Sequence, residues 1–387
     1  MPEQHALLSP SKAARWLYCT PSARLEEKLP DSTSEFAEEG RLAHAVGENI
    51  LKYMAGQIDK KTYSQQRREL IKNKLFSKEL EDYARQYADY VFKNFESAKK
   101  ITPDAILRIE EKLDMRAYVP GCYGTGDAII IADGQLGIID FKYGKGVPVS
   151  ASNNAQMALY ALGAYEAFGF MYDPHTVGMA IYQPRIDNVS VEKVEVSKLL
   201  HWAETEVKPQ AKKAFAGEGD YVPGSHCRFC KAKSQCRELA KQNLGIQKFE
   251  QAEPEFLTEK EIAEILAAAP DLKNWLASVE SYALSEALKG MAFPGFKLVA
   301  GRGNRVITDG EKLGKMLLNN GFTAEQIFKP ATLKPLGELE SLTGKKRFAE
   351  LCGDLVIKPE GAPTLAPESD SRPAFNSAAV DFKDVEF

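Results

Sequence analysis

The amino-acid sequence predicts a mixed α/β sandwich followed by a smaller, mainly helical module. Three observations carry that prediction. Segments of helical period lie before and after a run of strand-like segments, which places a central sheet between helices. The 387 residues exceed the roughly 250–300 at which a single core stops growing, so two units are expected. With 44% hydrophobic and 27% charged residues, the composition is that of an ordinary globular protein, neither disordered nor fibrous.

The elements follow in order. Residues 8–29 hold a short helix that Ser9 or Ser11 can cap and that ends near Cys19 and Pro21. Apolar residues then recur at helical spacing over 34–55 and again over 77–100, the second through Leu80, Tyr83, Tyr87, Tyr90, Val91 and Phe95. The period switches to two in AILRIEEKLDMRAY, GCYGTGDAIIIADG and QLGIIDFKYG, with Asp133–Gly134 as a hairpin turn, so three strands form a meander. Helical spacing returns over 152–169, VGMAIYQPRI and VSVEKVEV supply further strands, and 197–215 is helical.

A first domain of residues 1–245 is followed by an α-rich module over 253–355. There Thr258 and Glu261 form a capping box for a helix through Ala268, and Asp271 caps a second helix stopping at Gly290. GFKLVAGRGNRVIT is strand-like. Residues 356–387, rich in Pro, Ala, Ser and acidic groups, form a flexible tail. Its end, AAVDFKDVEF, suits either docking in a basic, apolar groove of a partner or simple solubilisation.

Composition also excludes classes. There is no apolar run of signal-peptide or membrane-spanning length, so a cytoplasmic protein without membrane contact is expected. A net charge of −4 gives no bulk attraction for nucleic acid, so any such surface must be local. Lys142, Lys145, Lys231, Lys233 and Arg237 are candidates, with Arg302 and Arg305 on a glycine-rich turn. No Walker-type phosphate loop is present, and five scattered histidines do not make a zinc hydrolase site.

The most informative stretch is GTGDAIIIADGQLGIIDFKYGKG. Asp127 and Asp140 fall in two strands of one hairpin, and Lys142, two residues after Asp140, projects from the same face as it does. A bare Asp-x-Lys pair is a common surface ion pair. Here it follows the buried-looking run Leu136–Ile139, where an unpaired carboxylate is costly. Carboxylates that hold Mg²⁺ or Mn²⁺ beside a lysine are the chemistry of phosphodiester hydrolysis. Glu110 and Glu111, one strand earlier, are secondary candidates for a further carboxylate.

These motifs resemble the RecB-like branch of the PD-(D/E)XK nucleases, whose pattern reads G-x-x-D, then hydrophobic-D-x-K-x-G, then Q-x-x-x-Y. The chain has GTGD ending at Asp127, IIDFKYG carrying Asp140 and Lys142, and QMALY from Gln156 to Tyr160. GRLAH places Gly40 and His44 in the G-x-x-x-H pattern of that branch. The resemblance implies a restriction-endonuclease-like core acting on DNA, an exonuclease in preference to an endonuclease. It implies a metal held by His44, Asp127 and Asp140, with Lys142 assisting and Gln156 and Tyr160 bordering the active site. The alternative is a non-catalytic module that binds DNA or a partner on the same fold.

Three of the six cysteines, Cys227, Cys230 and Cys236, follow a C-x2-C-x5-C spacing that brings their thiols within reach of one metal centre. A fourth ligand must come from elsewhere, and Cys19 is the natural candidate. Zinc satisfies the same count, and His226 offers a mixed site, so spacing does not separate zinc from iron. The arrangement is similar to the [4Fe–4S] clasp of AddB-type and CRISPR-associated RecB-like exonucleases, which implies an iron–sulfur cluster tying the ends of the nuclease domain together. Cys122 and Cys352 read as small core residues. With its C-terminal module the chain is similar to a phage-encoded family of the same superfamily, found among replication and recombination genes. That implies a role in phage DNA replication, recombination or repair in a bacterial host, with a single-strand-binding or recombination protein as a partner of the tail.

Overall fold

The computed structural model describes residues 6–30, 35–245 and 257–299, with isolated positions between 315 and 350. Arg302, Arg305, Cys352, the later part of the expected strand and the tail lie outside the described residues. Two compact units are present, Met1–Ser285 and Glu286–Phe387.

The first unit is a mixed α/β structure built on one five-stranded sheet. It opens with short helices α1 (Ala13–Trp16) and α2 (Ser22–Glu27), followed by α3 (Glu35–Met54), α4 (Lys60–Ile71) and α5 (Lys78–Ile101). Ser9 stands at the expected N-cap position but its hydroxyl pairs with Ser11 Oγ at 3.2 Å, so the cap itself is not made. Strands β1 (Ile106–Asp114), β2 (Tyr123–Ala132) and β3 (Gln135–Phe141) form the expected antiparallel meander, turning at Asp133–Gly134, where Gly134 takes φ 65°.

Helix α6 (Ala155–Tyr172) then crosses over to β4 (Thr176–Gln183), which pairs parallel with β3, and β5 (Asn188–Glu195) returns antiparallel. A parallel pair needs such a crossover, because a tight turn can only reverse the chain. The strand order is β1-β2-β3-β4-β5. A long helical stretch follows as α7 (Val196–Trp202), one π turn over Ala203–Val207, and α8 (Lys208–Ala216). Pro209 near the start of α8 lacks an N–H, and a π turn immediately before it absorbs the lost bond.

Strand alternation sends neighbouring residues to opposite layers. Ile129, Ile131, Leu136 and Ile138 pack toward α6 and α7, while Ala128, Ile130, Ile139 and Phe141 pack toward α3 and α5. Two glycines set close approaches. Gly47 of α3 faces the Tyr87 ring of α5, where an added Cβ would lie 3.1 Å from it. Gly163 of α6 faces β1, where a Cβ would meet Met115 Sδ at 2.6 Å and Leu113 Cβ at 3.0 Å.

After α9 (Arg237–Leu244), the expectation of two helices over 258–290 is corrected. One helix, α10 (Glu259–Leu288), runs through Pro270 and leaves Asp271 inside it. The half-buried positions Ile265, Ala269, Leu272, Trp275 and Val279 keep helical spacing across the proline, so one stripe serves the whole length. The Thr258–Glu261 capping box is formed, with Thr258 N–H donating to Glu261 at 2.7 Å and Glu261 N–H to Thr258 Oγ at 3.3 Å. Asp271, Asn274 and Trp275 line a cavity with Gly224, Cys227 and Leu239, so this part of α10 belongs with the first unit, whose limit falls later than the 245–253 boundary expected. Residues 295–299 of the expected strand carry no strand structure. Among the described residues no helix is long and apolar enough to cross a membrane.

These packing differences separate two glycine substitutions. Gly163→Val overfills the α6–β1 contact and should cost about 1–3 kcal/mol. Gly40→Ala meets nothing within 4 Å and should stabilise α3 by up to about 1 kcal/mol through helix propensity. Urea unfolding midpoints of the two variants against wild type measure both signs.

Candidate metal centre and cysteine cavity

The site forms where β1, β2 and β3 run side by side between α3 on one face and α6 on the other. Ala128 pairs with Ile139, so the next step brings Asp127 opposite Asp140. On the other side of β2, the β1 ladder has Ile109 opposite Ala128 and Glu111 opposite Gly126, which leaves Glu110 beside Asp127. Glu110 holds φ 51°, a left-handed conformation that a non-glycine residue adopts at a cost of order 1–3 kcal/mol. That twist redirects its carboxylate to the same point as Asp127.

Helix α3 brings His44 over this point. Its Nδ1 lies 3.4 Å from Asp127 Oδ1 and 3.9 Å from Glu110 Oε1. Among the described residues, His44, Glu110 and Asp127 are the one group of three or more candidate ligands whose donor atoms all lie within 4.8 Å of one another. The expected set of His44, Asp127 and Asp140 is thus brought together in part. His44 and Asp127 converge with Glu110, while Asp140 turns to Lys142, whose Nζ lies 2.8 Å from Asp140 Oδ2 and 3.1 Å from Oδ1. Asp140 Oδ2 is buried and accepts no aligned hydrogen bond, which leaves a lone pair for a cation.

Gln156 and Tyr160, one turn apart on α6, complete the chain of contacts. Gln156 Nε2 donates to Asp140 Oδ1 at 3.3 Å, Lys142 Nζ donates to Gln156 Oε1 at 3.4 Å, and Gln156 Nε2 reaches Tyr160 Oη at 3.4 Å. Asn154 caps α6 by accepting from the N–H groups of Gln156 and Met157, which fixes where Gln156 starts. Phe141, between Asp140 and Lys142, points to the opposite layer. Its ring stacks on Tyr87 at 4.5 Å and lies 5.2 Å from the His44 ring, and its N–H donates to Asp127 Oδ2 at 2.6 Å.

The electrostatics follow from this crowding. Burial alone would lower the His44 pKa, but the charge and hydrogen bond of Asp127, with Glu110, outweigh it and raise the imidazole to about 10. Burial also works against ionised Asp127, yet His44, Lys142 and the Phe141 N–H hold it below its ordinary value. Burial drives Asp140 upward, with the neighbouring Asp127 charge adding to the rise against Lys142. Lys142 would be lowered by burial, but Asp140 and Asp127 raise it, so it stays a cation. Burial pushes the Glu110 carboxyl up as well.

The sequence reading placed Tyr87 only as a helix packing position. Its hydroxyl is buried without a partner and feels the charges of Asp127, Glu110 and Asp140. No sequence signal marks it, because its spacing is that of any core residue on α5.

A second cluster lies at the end of the unit. Cys19, Cys227, Cys230 and Cys236 all line one small cavity, with Arg15 and His226 beside them. No three of the four sulfurs lie within 4.8 Å of one another. Four thiolates around one zinc at about 2.3 Å would stand roughly 3.8 Å apart, whereas a multi-iron cluster binds each at a different corner and keeps them wider. The four thiols therefore border one cavity without converging on a single point. Burial raises the Cys19 and Cys227 thiols and pushes Cys230 up to about 12, so ligation releases protons. Cys122 is a buried core residue beside Met115 and Val119, as expected.

Over residues 5–373 the chain matches the family model described as "Protein of unknown function (DUF2800)". It belongs to the DUF2800 family. The crystal structure of SSO0001 is similar to this DUF2800 chain at 13% sequence identity and a TM-score of 0.21, covering 57% of this chain and 95% of that one. At that score the likeness carries nothing on fold or function.

The raised His44 pKa gives a signed prediction for this DUF2800 site. Without metal, the attraction between His44 and the carboxylates contributes fully below pH about 6.5 and is lost as pH rises through about 10. A cation bound to His44 must displace that proton, so Mn²⁺ affinity should rise about tenfold per pH unit across the neutral range. Isothermal titration in buffers of different ionisation enthalpy measures the release; affinity independent of pH, with no proton released, removes His44 as a ligand.

Proposed function

We propose that the chain is a metal-dependent DNA nuclease of the PD-(D/E)XK type, an exonuclease in preference to an endonuclease. The observation that carries the reading is the meeting of His44, Glu110 and Asp127 beside the Asp140–Lys142–Gln156 chain at one place on the sheet. A structural ion pair needs none of this convergence. A divalent cation there, held by His44, Glu110 and Asp127 with Asp140 alongside, supplies an activated water and offsets charge on a phosphate.

The chain's own groups have distinct tasks. Lys142 is held as a cation by Asp140 and Asp127, so it stabilises negative charge on the phosphate oxygens and does not act as the base. Gln156 fixes the Lys142 ammonium and Asp140 together, which keeps the lysine aimed while the carboxylate remains available. Tyr160 closes the α6 side, with its phenol driven well above its ordinary value by burial and by Asp140, so it is a hydrogen-bond donor at neutral pH.

The cysteine cavity supports a [4Fe–4S] cluster with a structural task. Removing one ligand by Cys230→Ser should lower Tm by roughly 5–10 °C, the shift for about 2–3 kcal/mol in a domain of this size. Iron and sulfide assays on anaerobically purified protein test the cluster itself; stoichiometric zinc in their place removes iron from the reading.

The activity test is magnesium- and manganese-dependent degradation of end-labelled linear DNA beside a closed circle. Degradation of the linear form alone is expected, with Asp140→Ala and Lys142→Ala each lowering the rate by about 10²–10³ or more. DNA binding without cleavage of either substrate by wild type would point instead to a non-catalytic binding module.

A further inference from the structure

We propose that the groove between α3 and α4, with the outward face of α4, is a track for the phosphodiester backbone of a single nucleic-acid strand, leading to the His44–Glu110–Asp127 centre. Its destination rests on the nuclease reading; its binding chemistry does not.

Helix α4 buries no residue completely, and its sequence KKTYSQQRRELI is polar almost throughout. It is held down by one line of residues. Tyr63 stacks on Tyr53 at 4.7 Å, Leu70 packs against the α3–α5 core, and Arg67 forms a two-bonded pair with Glu81 of α5. Those positions, i, i+4 and i+7, use up the inward face.

The opposite face is cationic and unclaimed. Lys60, Lys61, Ser64, Gln65 and Arg68 line one open concavity, and among the described residues the side chains of Lys60, Lys61 and Arg68 make no ion pair. The nearby acids are already engaged: Asp59 caps α4 by accepting from the Thr62 N–H, Glu69 pairs with Lys72, and Glu48 pairs with Lys52. In a chain of net charge −4, three neighbouring free cations are a local feature and not a reflection of composition. Lys60 to Arg68 spans about 12 Å of helix, long enough to face two or three successive phosphates of one strand.

Gln65 also lines a second concavity of about 520 Å³ between α4 and α3, together with Ala45, Glu48, Asn49 and Thr62. This groove adjoins the metal centre at Glu48. Glu48 stands one turn after His44, and its charge is felt at Glu110. Arg41, exposed and without an ion pair among the described residues, lies on the same α3 face one turn before Ala45. In the groove floor Asn49 is 4% exposed; its Nδ2 donates to the Tyr63 carbonyl at 3.3 Å, but its Oδ1 has no partner. A buried acceptor left open costs free energy unless a donor arrives, and an unpaired base carries such a donor. Cations outside and an open acceptor within match a strand with its bases exposed.

The test uses the full chain and a short fluorescent single-stranded oligonucleotide, with Ca²⁺ in place of Mg²⁺, read by anisotropy between about 50 and 200 mM KCl. The triple variants Lys60→Gln/Lys61→Gln/Arg68→Gln and Lys60→Glu/Lys61→Glu/Arg68→Glu touch no core residue, and circular dichroism confirms that both are folded. Loss of three phosphate contacts should flatten the slope of log affinity against log salt by about 2 and weaken binding about tenfold or more. An unchanged slope in either folded variant, or no oligonucleotide binding by wild type, overturns the track. Salt-dependent binding lost in the variants, by a wild type that cleaves nothing in Mg²⁺ or Mn²⁺, keeps the track and overturns the nuclease reading; cleavage with an unchanged slope does the reverse.

Discussion

Two carboxylates, Asp127 and Asp140, are buried next to each other across β2 and β3. Like charges taken out of water repel and lose hydration together, so the surroundings must supply cations and hydrogen bonds. Each surrounding element contributes at least one. Helix α3 brings His44 to Asp127, β3 places Lys142 on Asp140 and the Phe141 N–H on Asp127, and α6 delivers Gln156 to Asp140. The left-handed turn at Glu110 adds a third acid to the same place. A fold assembled for stability alone would fill this position with apolar side chains, as the neighbouring Ile129 and Ile138 already do.

The sheet was legible in the sequence wherever the period of two was long and a turn was explicit, as at Asp133–Gly134. The parallel pairing of β3 with β4 was not, because it depends on α6 crossing the sheet and not on any local pattern. Helix α4 escaped notice for a related reason: with no buried residue, it carries too weak an apolar period to register. At Pro270 the reading erred by giving the proline's local effect priority over an apolar stripe that continues past it.

At the site, Asp127, Asp140 and Lys142 could be named from the strand period, while His44, Gln156 and Tyr160 were named only through the resemblance to the G-x-x-x-H and Q-x-x-x-Y patterns. Glu110 was harder to rank above Glu111, since in a regular strand the two would point to opposite faces. Its backbone conformation decides the matter, and φ is not written in residue type. Tyr87 was invisible as a site residue because chemistry and packing ask for the same spacing there.

The N-terminal segment is held mainly by residues far along the chain. Thr20 donates to the Glu218 carbonyl, Arg24 donates to the Phe215 carbonyl at 2.8 Å and lies over its ring, and Glu26 accepts from the Lys231 N–H at 2.8 Å. These partners lie 198, 191 and 205 residues later. At synthesis rates of about 5–20 residues per second, the first helices wait roughly 10–40 s before these partners are made. During that interval Leu8, Trp16 and Cys19, which end up buried, are exposed on the nascent chain. These first helices are thus among the last parts to reach their place, and their apolar residues stay uncovered until the ribosome has passed Lys231.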